Sequence, residues 1–247
     1  MSICKLCRGE KTLLKSHIIP EFMYKSMYDE KHRFHCITLG REASDTQKQK
    51  GEWDRLLCGD CEQRFSRLER YASAILTGKT PIEIERRDPW MIECGGIDYK
   101  LFKLFQLSIL WRAGVSDRPI FKEVALGRHQ EVLRRMLLDD DPGESYKYGC
   151  IMLAAMHKGK PVDSLILHPE LARVDGQIVW RFVFAGFWWL YFCSGHKPNM
   201  QISSRFLQDS GVGYIFLKEL ASAEHVVRFA VSSQLKSRSE RGLDRSR

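Results

Sequence analysis

Cys4-Lys5-Leu6-Cys7 near the start of the chain and Cys58-Gly59-Asp60-Cys61 some fifty residues later are the stretches from which the rest is read. Two Cys-x-x-Cys pairs offer four thiolates to one tetrahedral ion, and Zn²⁺ is the usual guest of such a set. Cys7-Arg8-Gly9 and Cys58-Gly59-Asp60-Cys61 read as tight turns, in which glycine is expected to supply the positive φ of a metal knuckle. One ion would then tie together two segments far apart in the chain. The loop that it closes carries Ser16-His17-Ile18-Ile19-Pro20.

Working outward, Leu13 and Leu14 lead into a short strand, and Pro20 holds Ile19 extended, so His17 and Ile19 are expected on one side and Ile18 on the other. Glu21 to Tyr28 fits one or two helical turns. Residues 29–52 are polar and poorly periodic, and read as a loop with one strand near His35 to Leu39. After Asp60, a candidate N-cap, Phe65, Leu68, Ala72 and Ile75 recur at helical spacing. Residues 1–78 are expected to form a small head that depends on its metal.

Residues 79–97 are rich in turn formers and read as a linker, with residues 98–232 as an α+β domain carrying an antiparallel sheet. A helix is expected over Tyr99 to Arg112 and another from about His129 to Leu138. Asp139-Asp140-Asp141 lacks alternating oxygen ligands, so an exposed acidic turn fits better than a metal loop. Asp175-Gly176 is a hairpin signature between Leu171 to Val174 and Ile178 to Phe184. The apolar run Ile178 to Cys193 is broken by Arg181 and too short to span a bilayer, so it reads as a buried pair of strands. Val212 to Leu217 and Val226 to Val231 read as further strands, and residues 233–247 as a basic disordered tail. The fold class is thus α+β.

The 247 residues hold 39 Lys and Arg against 31 Asp and Glu, a formal charge of +8 that favours a polyanionic partner. Of the eight cysteines, Cys36, Cys94, Cys150 and Cys193 lie outside the two pairs, and this usage is unlike a secreted disulfide scaffold. With no signal-peptide core at the start, the expected compartment is the cytoplasm. Arg8, Lys11, Lys15, Arg55, Arg64 and Arg67 lie in or beside the metal module and are the candidate phosphate contacts. DNA is the expected partner, a protein partner or a second copy of the chain is open, and no membrane is expected.

A histidine on a zinc-clamped scaffold suits a general base, because its ordinary pKa lies near neutrality. The bland alternative has His17 packing or capping the knuckle, with Asp54, Asp60, Glu62 and Glu69 as solvated acids. A zinc saturated by sulfur cannot activate water, so phosphodiester cleavage here would need a second, hard ion such as Mg²⁺ or Mn²⁺.

The order C-x-x-C, then a strand carrying x-H-I-I-P, then L-L-C-x-x-C at a helix start resembles the zinc-bearing HNH branch of the His-Me finger endonucleases. That resemblance implies a β-hairpin followed by a helix around a catalytic divalent ion, and hydrolysis of DNA. It makes His17 the general base. The position before the base is usually an Asp or His ligand and is Ser16 here; the position after the last cysteine is usually His or Asn and is Glu62 here. The orienting Asn has its place at Trp53, beside Asp54. The resemblance covers about the first 75 residues. Three readings follow: a metal-dependent DNA endonuclease with His17, Asp54 and Glu62 in catalysis and Glu62 on Mg²⁺ or Mn²⁺, as found in phage defence and mobile elements; a noncatalytic zinc module that binds nucleic acid or a protein; or a purely structural zinc clamp on an assembly protein.

Overall fold

The computed structural model describes residues 2–28, 30–31, 34–37, 45–48, 51–162 and 166–219, with 34–37 and 45–48 as backbone alone. The strand expected at Val226 to Val231 and the basic tail lie outside the described residues. Strands β1 (Ser2–Ile3) and β2 (Glu10–Lys11) form a small hairpin around the first cysteine pair. Next come β3 (Leu13–His17), a 3₁₀ turn (Glu21–Met27), and the paired β4 (Phe34–Ile37) and β5 (Asp45–Lys48). Strand β6 (Trp53–Cys58) pairs antiparallel with β3 and runs without a break into helix α1 (Gly59–Leu76).

Residues 79–97 are not an extended connector. They hold β7 (Glu83–Asp88) and β8 (Met91–Gly95), a hairpin at one margin of the main sheet. Helix α2 (Tyr99–Val115) and helix α3 (His129–Asp139) follow. The remaining strands are β9 (Cys150–His157), β10 (Lys160–Pro161), β11 (Leu167–Val174), β12 (Gln177–Phe184), β13 (Phe187–Phe192) and β14 (Gly213–Glu219), with one helical turn, α4 (Met200–Ser203), before the last. Their order is β11-β12-β13-β9-β14-β8-β7, and β10 pairs with β9 off that path. The expected antiparallel sheet is present with one exception, since β14 runs parallel to β9. The protein is therefore a mixed α+β fold.

Three tight hairpins build the sheet. Asp175-Gly176, Ala185-Gly186 and Lys158-Gly159 each place two consecutive residues at positive φ, the geometry that matches the right-handed twist of the strands they join. The aspartate-glycine signature made the first legible. The second splits the apolar run into β12 and β13 at an alanine, which accepts φ 52° at some steric cost. No helix among the described residues is long and apolar enough to cross a membrane.

Helix α2 is buried on all sides rather than on the single face expected from Leu101, Leu104 and Trp111. It lies between α1, α3 and the sheet. Phe65 of α1 meets the edge of Trp111 at 6.1 Å, and Phe105 meets Trp189 of β13 at 6.5 Å. One continuous core thus includes Cys4, Leu57 and Phe65 together with Trp189 and Tyr191. The N-terminal segment and the sheet share this core through α2.

An all-round buried helix also buries its polar residues. Lys103 is 1 % exposed, its Nζ donating to the Ser145 carbonyl at 3.2 Å. Burial pushes its ammonium down to about 8, against the opposing pull of Cys150 and Asp209. Because this lies below the unfolded value of 10.5, the native state sheds its proton first as pH rises. The cost of burying the charge is full below about pH 8 and fades towards pH 10.5. Lys103→Met is therefore expected to stabilise the fold at neutral pH by about 1–3 kcal/mol. In urea denaturation the gain should shrink as pH rises through that window; a destabilised variant at neutral pH would contradict this account.

Candidate metal centre and the adjoining polar site

The sulfur atoms of Cys4, Cys7, Cys58 and Cys61 lie within 4.8 Å of one another, so the four can hold one metal ion. The two pairs reach this point by different local structures. The first sits on the turn of the β1–β2 hairpin, closed by Arg8 N–H donating to the Cys4 carbonyl at 2.9 Å and Cys4 N–H to the Gly9 carbonyl at 3.0 Å. In the second, Cys58 is the N-cap residue of α1 and Cys61 lies in its first turn. The expected glycine conformations are not used: Arg8 takes the left-handed backbone, φ 63°, and Gly59 is the first helical residue. Asp60 does not cap the helix either, and instead pairs with Lys11 at 2.7 Å.

The donor set fits Zn²⁺. Bonds of about 2.3 Å to a tetrahedral zinc put neighbouring sulfurs about 3.8 Å apart, and Cys7 Sγ and Cys58 Sγ are 3.8 Å apart. No disulfide joins them. The Cys58 N–H donates to Cys4 Sγ at 3.4 Å, which offsets part of a thiolate's charge. Burial, with the Cys58 and Cys4 sulfurs beside it, pushes the Cys61 thiol up. Four such sulfurs become thiolates together only with a cation among them.

Strand β3 carries the second group. Its register sets Ser16 opposite Asp54 and His17 opposite Trp53, after an irregularity between Leu14 and Lys15. Ser16 is wholly buried, and its hydroxyl donates to the Glu62 carboxylate. Burial raises the Glu62 pKa, while the Ser16 hydroxyl and the positive charge of Arg112 hold it back. His17 Nε2 lies 3.1 Å from Glu21 Oε2. Asp54 points elsewhere: its Oδ2 accepts from Asp117 N–H at 3.1 Å and from the Ser116 hydroxyl at 3.4 Å. Ser16 and Glu62 thus meet, His17 lies against Glu21, and Asp54 is turned towards the segment after α2.

The residue that sequence reasoning missed is Arg112. Its side chain is 2 % exposed and bonds Glu69 Oε1 at 2.7 Å. The same Nη1 donates to the His17 carbonyl at 2.5 Å, and Nε donates to the Ser108 carbonyl at 3.2 Å. Its guanidinium also lies 5.3 Å from the Phe65 ring centre. The available signal was an arginine ending an almost uninterrupted apolar helix.

The six candidate phosphate contacts divide in two. Arg8 pairs with Glu131, Lys11 with Asp60 and Arg67 with Asp140. Lys15, Arg55 and Arg64 form no ion pair among the described residues. Lys15 Nζ lies 4.5 Å from the Trp53 ring centre, and Arg55 donates to the Leu13 carbonyl at 3.1 Å. Arg118, also missed, approaches the same indole at 5.1 Å. The chain matches no protein-family model, no curated protein and no solved structure.

Two outcomes follow from this geometry. Elemental analysis of reduced protein should find one zinc per chain, and Cys58→Ser should lose it and lower the thermal unfolding midpoint, since binding energy here is folding energy. Zinc-free wild-type protein of unchanged stability would refute the assignment. Arg112→Met should cost about 3–5 kcal/mol in denaturant unfolding, because it strands Glu69 without its cation. Pairing it with Glu69→Gln should recover part of that loss; a single variant of near wild-type stability would mean the buried pair carries little.

Proposed function

We propose that the N-terminal segment is a zinc-clamped, noncatalytic module that binds nucleic acid. One observation carries the binding: beside His17, Trp53 presents a half-buried indole approached by Lys15 at 4.5 Å and by Arg118 at 5.1 Å, the latter also 3.9 Å from Asp54. An exposed cation over a ring gains only about 0.5–1 kcal/mol, so the ammonium is readily exchanged for a phosphate. The indole face so released can stack on a base. Arg55, opposite Lys15 on the paired strand, extends the positive rim, and the formal charge of +8 has the same sign. The noncatalytic part rests on Ser16 and Glu62, which bond each other at the two positions where the HNH resemblance expects ligands. Asp54, beside the place of the orienting Asn, is taken up by Ser116 and Asp117.

A second reading is supported by the same locus. The β3–β6 pair leading into α1 has the element order of the His-Me finger, and Glu62 bonds Ser16, the residue before His17. In that reading His17 is the general base of a DNA endonuclease, and Ser16 and Glu62 exchange their mutual bond for Mg²⁺ or Mn²⁺.

Fluorescence anisotropy with labelled single-stranded and duplex DNA tests the first reading. Binding should weaken steeply with salt, as each neutralised phosphate releases counterions. Trp53→Ala should weaken it by roughly 5- to 100-fold, the range of one lost stacking contact. Lys11→Ala, already neutralised by Asp60, should change little. Absence of binding at low salt would reject nucleic acid as the partner. A plasmid-nicking assay with Mg²⁺ or Mn²⁺ separates the two readings: cleavage that falls about 100- to 10,000-fold in His17→Ala would establish the endonuclease.

A further inference from the structure

Behind α2, and lined by none of the residues described above as metal or nucleic-acid candidates, lies a cavity of about 220 Å³. Its walls come from several elements: Ile75 of α1, Phe102 of α2, Met152 of β9 and Ile215 of β14. Three side chains carrying oxygen or nitrogen break this apolar lining: Gln106, Arg205 and Tyr214. Gln106 of α2 is 2 % exposed, and its Oε1 is buried with no hydrogen-bond partner. Arg205 is exposed, lies 5.4 Å from the Phe216 ring centre, and forms no ion pair among the described residues.

Each feature constrains a ligand. A buried carbonyl oxygen left unpaired costs about 1–3 kcal/mol, and a hydroxyl donor reaching it recovers that cost. An unpaired guanidinium on the exposed rim suits a carboxylate. An apolar cavity of about 150 Å³ admits benzene, so this larger one accommodates a ring with a short side chain. Because Gln106 is buried and Arg205 exposed, the hydroxyl end faces inward and the acid end faces out.

We propose that this cavity binds a small phenolic carboxylic acid, its ring among Phe102, Met152 and Ile215, its hydroxyl donating to Gln106 and its carboxylate on Arg205. The site stands on the cavity alone and is independent of the nucleic-acid reading.

Calorimetry on the full zinc-loaded chain tests it with three probes: p-hydroxyphenylpropanoate, phenylpropanoate and p-hydroxyphenylpropanol. The first should bind, and removal of its hydroxyl should weaken it roughly two- to tenfold, the worth of one neutral hydrogen bond. Replacing the acid by the alcohol should cost on the order of fivefold, as for a partly exposed ion pair. Gln106→Leu should erase the first difference and leave the second, and Arg205→Gln should do the reverse. Unchanged zinc content and circular dichroism show that the variants are folded. If p-hydroxyphenylpropanoate does not bind, or if all three probes bind alike, the proposal is wrong. Preferences that survive both substitutions would overturn it equally, since the ligand would then lie elsewhere.

Discussion

A buried guanidinium on α2 ties the N-terminal segment to the rest of the protein. Arg112 reaches out of α2 to the carboxylate of Glu69 on α1 and to the backbone carbonyl of His17 on β3. Taking such a charge out of water is expensive, and the cost is met only while every donor has an acceptor in place. Arg112 therefore constrains position more than it adds stability. It fixes the end of β3 against α1 and α2, and so sets where the His17 imidazole and the Ser16–Glu62 pair stand.

The four-cysteine cluster acts at the other end of the same strands. Leu13 is in register with Cys58, so the cysteines and His17 bracket one short antiparallel pair. A ladder of two brief strands is marginal by itself. Here the sulfur cluster closes one end, Arg112 closes the other, and the apolar faces of β6 and α1 pack on Trp111 between them. The expectation of a small, metal-dependent head over residues 1–78 did not include this packing. Cys4, Leu6 and Leu57 belong to the same core as Trp189, so the cysteine cluster and the sheet are joined through α2.

The electrostatic surface depends on local pairing more than on net charge. Half of the six basic residues singled out around the cysteines are answered by acids, among them Glu131, which is far away in sequence and holds Arg8. Of those left without an acid, Lys15 lies over the Trp53 ring. Charge counting shows an excess of positive groups, whereas pairing across the tertiary structure decides which of them face solvent unopposed.

Much of the chain could be read from local rules. Cysteine spacing identified the cluster, the 3.6-residue repeat after Asp60 identified α1, and Asp175-Gly176 marked the β11–β12 hairpin. Each is a signal carried by neighbours in sequence and enforced by backbone geometry or ligand chemistry. The rest required contacts that no local pattern encodes. Nothing within residues 79–97 showed that they extend the sheet, because an edge strand with exposed faces lacks the apolar alternation by which strands are recognised. Nothing beside Arg112 in sequence shows that its partners are Glu69 and His17, about forty and ninety-five residues away. Sequence by itself marked the four cysteines of the cluster, the three long helices and the later hairpin strands; tertiary structure alone decided which polar groups are buried, because burial depends on what packs from across the chain.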